Sequence, residues 1–471
     1  MINKKLFGTS GIRGMFPEDV DETLALKIGK ALGTYIYFNN KYDVDDDYEN
    51  DNEKTIVVGY DSRTSNQVIE NAIVSGLIAT GVNVIKLGMV PTGLVGFATQ
   101  TLNADYGVMI TASHNPSTDN GIKLWNKNGL AFTSNQESEI EKIYHSNSFK
   151  TPKWNNIGKI YYSNEVIDEY IQKLLSLVEI LPKNGKKLKI VIDSASGAGS
   201  TLSPLIFRMA GCDVITLNSQ VDGFFPGRKA EPNKDNLGDL MALVPIVGAD
   251  LGIAHDGDAD RMITVDENGN ISDFDKLLSL ISKEMAQKYG GTIVTTVDAG
   301  LSIDDAVKGY GKVLRSKVGD VHVGEMMVEN DSSFGGEPSG TWLHPEFSMC
   351  PDGILSGLKI AEMVSKYGKL SKLLDKIAIY PNYRVKIECN EEEKAIILNK
   401  VDKHFVDEFS DVKDINSIDG IRLTFEDESW VLVRPSGTEN YFRITLEGKT
   451  QEKADEILKI SEDFIKKFIK D

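Results

Sequence analysis

"LKIVIDSASGAGSTLSPLIFRMAGCDVITLN", residues 188–218, decides how the rest of the chain reads. The apolar run LKIVID is long enough for one strand and breaks into a Gly/Ser turn. A helical stretch, LSPLIFRMA, follows, and a glycine hands it on to a second strand, CDVITLN. Strand, helix and strand in alternation imply a mostly parallel sheet, whose functional groups gather at the C-terminal ends of the strands.

The same joint of helix, glycine and strand recurs along the chain. It appears as IATGVNVI (78–85), RMAGCDVI (208–215) and KGYGKVL (308–314), a weak internal repeat that predicts three related α/β units. Around the first lie the strand KTIVVGY (54–60), the helix NQVIENAIVSGLIAT (66–80) and the strands VNVIKLG (82–88) and YGVMIT (106–111). ADLGIAHD (249–256) adds a strand to the second unit. The third opens with the helix DKLLSLISKEMAQKY (275–289) and the strand GTIVTTVD (291–298). The last stretch breaks the rhythm. NYRVKIEC, GIRLTFE, WVLVRPS and YFRITLE read as strands, with the helices EEEKAIILNKVDKHFVDEF and EKADEILKISEDFIKKFI, so an α+β domain is expected. The boundaries fall near 152, 268 and 377, giving segments 1–152, 153–268, 269–377 and 378–471.

Composition narrows the function. With 52 Lys and Arg against 70 Asp and Glu, the 471-residue chain carries a net charge of −18, which argues against general nucleic-acid binding. A small anionic substrate stays possible where cations gather locally. The acidic run DVDDDYENDNE (43–53) reads as a solvated surface loop in preference to a calcium site. Cys212, Cys350 and Cys389 are isolated from one another, neither a disulfide framework nor a zinc site. No signal-peptide pattern and no run near the ~18 apolar residues of a membrane span is present, so a soluble cytoplasmic protein is expected.

Four motifs carry chemistry. In VMITASHNPSTDNGIKLW (108–125), Ser113 stands beside His114, with Lys123 ten residues on. Adjacent residues of an extended chain point to opposite faces, which places His114 poorly as a base for Ser113. The G-x-S-x-G elbow of hydrolases is missing too. In DGDADR (256–261), Asp256, Asp258 and Asp260 at alternate positions can turn three hard oxygen ligands onto one loop, which suits Mg²⁺ and not zinc. An EF-hand calcium loop competes, since Glu267 occupies position 12 counted from Asp256. However, position 6 holds Arg261 where glycine is needed, and the flanks read as strands. Arg261 beside three carboxylates fits a place where a phosphoryl group meets a metal.

The other two motifs are weaker alone. GGEPSGTW (335–342) offers Glu337 and Ser339 for vicinal sugar hydroxyls, or is only a turn. VRPSGTENYFR (433–443) combines the Arg434 fork, the Ser436 and Thr438 hydroxyls, Gly437 and a second guanidinium from Arg443. It is an anion loop or a Ser/Gly hairpin turn, and it lacks the spacing of a Walker A loop.

TASHNP, DGDADR, GEPSGT and RPSGT in this order, together with FGTSGIRG (7–14), resemble the α-D-phosphohexomutase family. That family comprises phosphoglucomutase, phosphomannomutase and phosphoglucosamine mutase, and the resemblance spans essentially the whole chain. It implies three similar mixed-sheet α/β domains and a C-terminal α+β domain around a central cleft. It further implies that Ser113 is phosphorylated in the resting enzyme, and that Asp256, Asp258, Asp260 and an oxygen on Ser113 hold Mg²⁺. By the same resemblance Arg13, Lys123 and Arg261 surround the transferred group, with His114 as a helper contact. Glu337 and Ser339 then grip the sugar, while Arg434, Ser436, Gly437, Thr438 and Arg443 hold the non-reacting phosphate. The implied reaction moves a phosphoryl group between the 1- and 6-positions of a hexose phosphate through a hexose 1,6-bisphosphate. A small hexose phosphate is the expected partner of a monomer or homodimer.

There are departures. Many bacterial members place a histidine, a candidate general base, where this chain has Thr341; His344 and His322 lie nearby in sequence as substitutes or as plain polar loop residues. Ala259 stands where glycine is frequent, which should leave the ligands in place. RSKVGDVHVGEMM (315–327) and FPGRKAEPNKDNL (225–237) are more similar to the phosphoglucosamine mutase branch, archaeal members in particular, than to phosphoglucomutases. Phosphomannomutase or phosphoglucomutase activity is the alternative within the family. Outside it stand a phosphohydrolase that passes the phosphoryl group to water and a sugar-phosphate sensor without chemistry.

Overall fold

The first sheet is built from Ile12–Met15 (β1), Thr55–Tyr60 (β2), Asn83–Met89 (β3), Tyr106–Ile110 (β4), Asp119–Asn126 (β5) and Ile160–Tyr162 (β6). Their spatial order is β1-β5-β4-β2-β3-β6. This is the computed structural model of the chain, and it describes residues 5–8, 10–39, 53–182, 185–435 and 441–469. Residues 43–52 of the acidic run, and Ser436, Gly437 and Thr438 of the last motif, lie outside the described residues.

β4 is buried along its whole length, as a central strand covered on both faces should be. It pairs in parallel with β2, and β2 in parallel with β3. β5 then returns antiparallel against β4, because residues 111–118 are too few for the crossover that a parallel partner demands. That tight return leaves the segment with Ser113 at the C-terminal end of β4, the end where open α/β sheets carry their sites.

The second sheet repeats the arrangement with Lys189–Asp193 (β7), Asp213–Leu217 (β8), Leu251–His255 (β9) and Met262–Val265 (β10), ordered β10-β9-β7-β8. β7 pairs in parallel with β8 and β9, while β10 turns back antiparallel to β9. The turn between β9 and β10 is DGDADR. At two of the repeated joints, Gly81 and Gly211 take φ of +92° and +96°, the left-handed turn that ends a helix and releases the chain into a strand.

By contact the chain falls into two compact units, residues 1–274 with 339–374 and residues 275–338 with 375–471. The first unit holds both sheets above. It also holds the helix Gly353–Tyr367, whose first turn is capped by Asp352 accepting from the Leu355 N–H at 2.8 Å. In the second unit, Thr292–Thr296 pairs in parallel with Lys312–Ser316 and with Phe334–Gly336.

The C-terminal sheet of that unit is antiparallel throughout, ordered Asn382–Glu388, Tyr441–Glu447, Trp430–Pro435, Ile421–Phe425, Val412–Asn416. Ile397 and Val401 of one helix and Ile457 and Phe464 of another share a core with its strands, which makes this the expected α+β domain. Among the described residues no helix is long and apolar enough to cross a membrane.

Candidate active site

Ser113 sits in the return from β4 to β5 with φ of +52°, the left-handed region. For a residue with a Cβ this conformation costs roughly 1–2 kcal/mol and needs outside support. The Thr111 hydroxyl oxygen supplies some of it by accepting the Ser113 N–H at 2.7 Å.

The left-handed turn overturns the expectation that Ser113 and His114 point apart. Extended geometry does not apply here, and Ser113 Oγ lies 3.3 Å from His114 Nδ1. Arg261 first, then burial, then Arg13 and Lys123 push the imidazole pKa down to about 2, which leaves it neutral and a weak base. The shorter contact of Ser113 Oγ is a hydrogen bond donated to Asp256 Oδ2 at 2.6 Å.

Asp256, Asp258 and Asp260 are all buried, and each offers a carboxylate oxygen within 4.8 Å of the others. Strands on both sides of their loop exclude the EF-hand reading, and Glu267 is engaged elsewhere, accepting from the Ser371 hydroxyl at 2.6 Å. Ala259 adopts φ of +57°, which explains why glycine is favoured at that position. The alanine bears the strain and the three carboxylates still converge.

Like charges so close strain the cluster. Burial and the neighbouring carboxylates hold Asp256 well above the ordinary carboxylate range. Burial also raises Asp260, whereas at Asp258 the nearby Lys123 ammonium outweighs burial and lowers it. Lys123, from β5, bridges Asp258 Oδ2 at 2.8 Å and Asp260 Oδ2 at 2.6 Å. Burial alone would depress its pKa, but those two carboxylates raise it, so it is charged.

The other oxygen of each, Asp258 Oδ1 and Asp260 Oδ1, is buried and accepts no hydrogen bond. A buried carboxylate oxygen without a donor is costly unless a cation meets it. The residues therefore fit a bound divalent metal with oxygen ligands.

The remaining expected residues fall in both units. In the first unit, Arg13 lies on β1 opposite Gly121 of β5, and its charge acts on both His114 and Lys123. The Arg261 N–H donates to Asp256 Oδ1 at 3.2 Å, and its backbone bridges that of Thr341. Ser339 Oγ lies 3.3 Å from Thr341 Oγ1. His344 is a buried polar residue outside the named strands and helices. It is 1% exposed, bonded through Nε2 to Ser356 Oγ at 3.0 Å, and burial lowers its pKa to about 4.

In the second unit, Glu337 Oε2 accepts the Gly319 N–H at 3.3 Å. His322, in the turn of helix just after Gly319, has Nδ1 3.2 Å from Glu325 Oε2. Arg434 and Arg443 face one another across paired strands. Arg434 contacts Asp419 Oδ2 at 3.1 Å, and Arg443 donates to the Tyr441 hydroxyl at 2.8 Å.

Sequence reasoning missed three polar residues of the first unit. Thr92 donates its hydroxyl to Asp258 Oδ2 at 2.6 Å and its N–H to the Asp258 carbonyl at 3.0 Å. Arg228 pairs with Asp193 at 2.9 Å and donates to the His255 carbonyl at 2.6 Å, just before the carboxylate loop. Arg63, in DSR directly after β2, lies under the Ser113 loop. The signal available for Arg63 was its place at the C-terminal end of a parallel strand.

Comparison with known proteins places the whole chain in one family. The chain matches the descriptions "Phosphoglucomutase/phosphomannomutase, alpha/beta/alpha domain" I, II and III at residues 4–151, 168–269 and 273–380. It matches the C-terminal domain of the same series at 385–461. A protein of Methanobrevibacter smithii named "Probable phosphoglucosamine mutase" is 57% identical over 469 residues, 100% of both chains. One of the same name from Pyrococcus horikoshii is 45% identical, over 99% of both chains. Among solved structures, a phosphoglucomutase/phosphomannomutase family protein of Burkholderia thailandensis superposes with a TM-score of 0.87 at 25% identity, covering 99% of this chain and 98% of that one.

Proposed function

The chain belongs to the phosphoglucomutase/phosphomannomutase family, and we propose that it acts there as a phosphoglucosamine mutase, moving a phosphoryl group reversibly between the 1- and 6-positions of the sugar. The full-length relatives at 57% and 45% identity that carry this name support the choice of sugar. The observation that carries the chemistry is the hydroxyl of Ser113 held 2.6 Å from Asp256 at the edge of a buried carboxylate triad.

Phosphoryl transfer asks a protein for positioning and charge neutralisation more than for covalent activation. With Ser113 phosphorylated, its P–Oγ bond breaks as a bond forms to the free hydroxyl of the hexose phosphate. The hydroxyl proton of the sugar replaces phosphorus on Oγ, so the products are a hexose 1,6-bisphosphate and free Ser113. After the bisphosphate turns around, Ser113 Oγ attacks the other phosphoryl group, that group's bond to the sugar oxygen breaks, and the proton lost from Oγ ends on the departing sugar oxygen.

Lys123, Arg261 and Arg13 supply positive charge around the equatorial oxygens. Asp256, Asp258 and Asp260, with an oxygen on Ser113, would hold Mg²⁺, which when bound neutralises charge on the transferring group. Glu337 and Ser339 are the sugar contacts in this reading. Arg434, Ser436, Gly437, Thr438 and Arg443 hold the phosphate that does not react, by charge and not by sugar shape, which lets either orientation bind. Thr341 brings no imidazole to this part of the site.

Intact-mass measurement tests the scheme. A fraction of the protein should be heavier by one phosphoryl group, and Ser113→Ala should abolish it. No such species after incubation with a hexose 1,6-bisphosphate would refute the mutase mechanism, and steady phosphate release without isomerisation would mark a phosphohydrolase. Coupled assays should give the highest kcat/KM on glucosamine phosphate. An equal or higher value on mannose or glucose phosphate would overturn the choice of sugar.

A further inference from the structure

Four of the five Arg63 donors serve the stretch from Ser113 to Asp119. The fifth, Nε, donates to Asp61 Oδ2 at 3.1 Å. One Nη nitrogen donates to the carbonyls of Ser113 at 2.9 Å and Asn115 at 2.8 Å. The other donates to the carbonyls of Pro116 and of Asp119, the latter at 2.8 Å. These are all five N–H donors of a guanidinium, three of them spent on carbonyls of the loop between β4 and β5 and a fourth on that of Asp119, the first residue of β5. The side chain is 3% exposed and lies against the ring of Phe225, 5.2 Å from its centroid.

Asp61 closes the circuit. It accepts from the Thr111 hydroxyl at 2.6 Å, from Asn66 Nδ2 at 2.8 Å and from the Arg63 N–H at 2.9 Å. Thr111 in turn accepts the Ser113 N–H. The Ser113 peptide groups are thus gripped from both sides, the N–H through Thr111 and the carbonyl through Arg63, and both grips end on Asp61. The Ser113 carbonyl also abuts Gly257, where an added Cβ would fall 2.5 Å from its oxygen. The carbonyl that Arg63 holds is therefore also the contact that seats the serine loop on the carboxylate loop.

We propose that Arg63, braced by Asp61 and Thr111, is a positioning residue that holds Ser113 in its left-handed conformation with Oγ aimed at Asp256. The proposal rests on the reading of Ser113 as phosphoryl carrier. In this reading Arg63 acts through the Ser113 loop and not on the sugar or the phosphate. It keeps one oxygen in register through two transfers in which the charge on that oxygen changes. Lysine cannot replace it, having three donors on a point charge where five in a fixed fork are needed.

The test uses the full chain and three variants, Arg63→Lys, Thr111→Val and Thr111→Ser. Arg63→Lys and Thr111→Val should lower kcat by about 100-fold, the scale of an ångström misplacement, with KM within about 3-fold of wild type. Thr111→Ser, which keeps the hydroxyl, should stay within about 3-fold in kcat. Intact-mass time courses with hexose 1,6-bisphosphate should show phosphorylation of Ser113 slowed in step with kcat. Wild-type kcat in a folded Arg63→Lys, or KM rising as much as kcat falls, would overturn the proposal. If Arg63→Lys does not fold, equal kcat in Thr111→Val and Thr111→Ser would overturn it. Absence of phosphoserine in the wild type would instead refute the carrier reading itself, so the two failures are distinguishable.

Discussion

Lys123 shows how one side chain can hold an unfavourable cluster together. Three carboxylates converge in a buried space, and its ammonium bridges two of them at 2.6 and 2.8 Å. Removing one partner from a buried charge pair costs about 3–5 kcal/mol, because the remaining charge is left uncompensated. Lys123→Met, of similar length, should therefore melt well below wild type in EDTA. Added Mg²⁺ should recover much of the gap, since a divalent ion replaces the missing positive charge. Melting temperatures of wild type and variant that Mg²⁺ leaves unchanged would show that the triad holds no cation. The residues of this cluster were legible in the sequence because each sits in a short motif of turn-forming and charged residues. Arg63 and Arg228 were not. Their partners are mostly backbone carbonyls, which carry no sequence signature, and for Arg63 those carbonyls lie some fifty residues away.

At the scale of elements, apolar runs such as those of β4 and β9, buried throughout, and β7, buried beyond Lys189, were readable for that reason. The antiparallel return of β5 and the largely exposed strand Val412–Asn416 were not. The first is set by loop length and not by pattern, and the second is a bulged edge strand with a polar sequence. The C-terminal sheet also holds a titratable group whose environment sequence could not show. Glu447, at the end of a strand, accepts from the Leu301 N–H at 2.6 Å and from Trp430 Nε1 at 3.3 Å. Burial pushes its pKa up from the usual 4.5 to about 7. Between those values the folded chain binds more protons than the unfolded one, so this group's contribution is fully present below pH 4.5 and is lost as pH rises to about 7. The loss is on the order of 3 kcal/mol, at 1.36 kcal/mol per pKa unit. Denaturant titrations of wild type and Glu447→Gln across that range should differ in slope, the variant being the flatter. Parallel curves would show that Glu447 titrates as an ordinary carboxylate.

Over the whole molecule, the charge balance and the candidate site pull in opposite directions. A net charge of −18 repels a hexose phosphate at long range, while in the proposed reading Arg13, Lys123 and Arg261 attract it at the site. Salt separates the two effects. The Debye length is ~30 Å at 0.01 M and ~8 Å at 0.15 M, so moderate salt removes repulsion from distant carboxylates first. Contacts to a phosphoryl group inside a partly buried site are screened much less. Raising ionic strength from about 0.01 to about 0.15 M should therefore raise kcat/KM by about 2–5-fold with kcat unchanged, the reverse of a substrate steered in by the overall field. The gain should come through KM, because screening speeds the approach and leaves the bound geometry alone. A kcat/KM that falls from the lowest salt onward would mean that the local cations project their field beyond the site and outweigh the rest of the surface. In that case neutralising distant surface carboxylates should leave KM where it is, whereas under long-range repulsion the same substitutions should lower it at low salt and not at high.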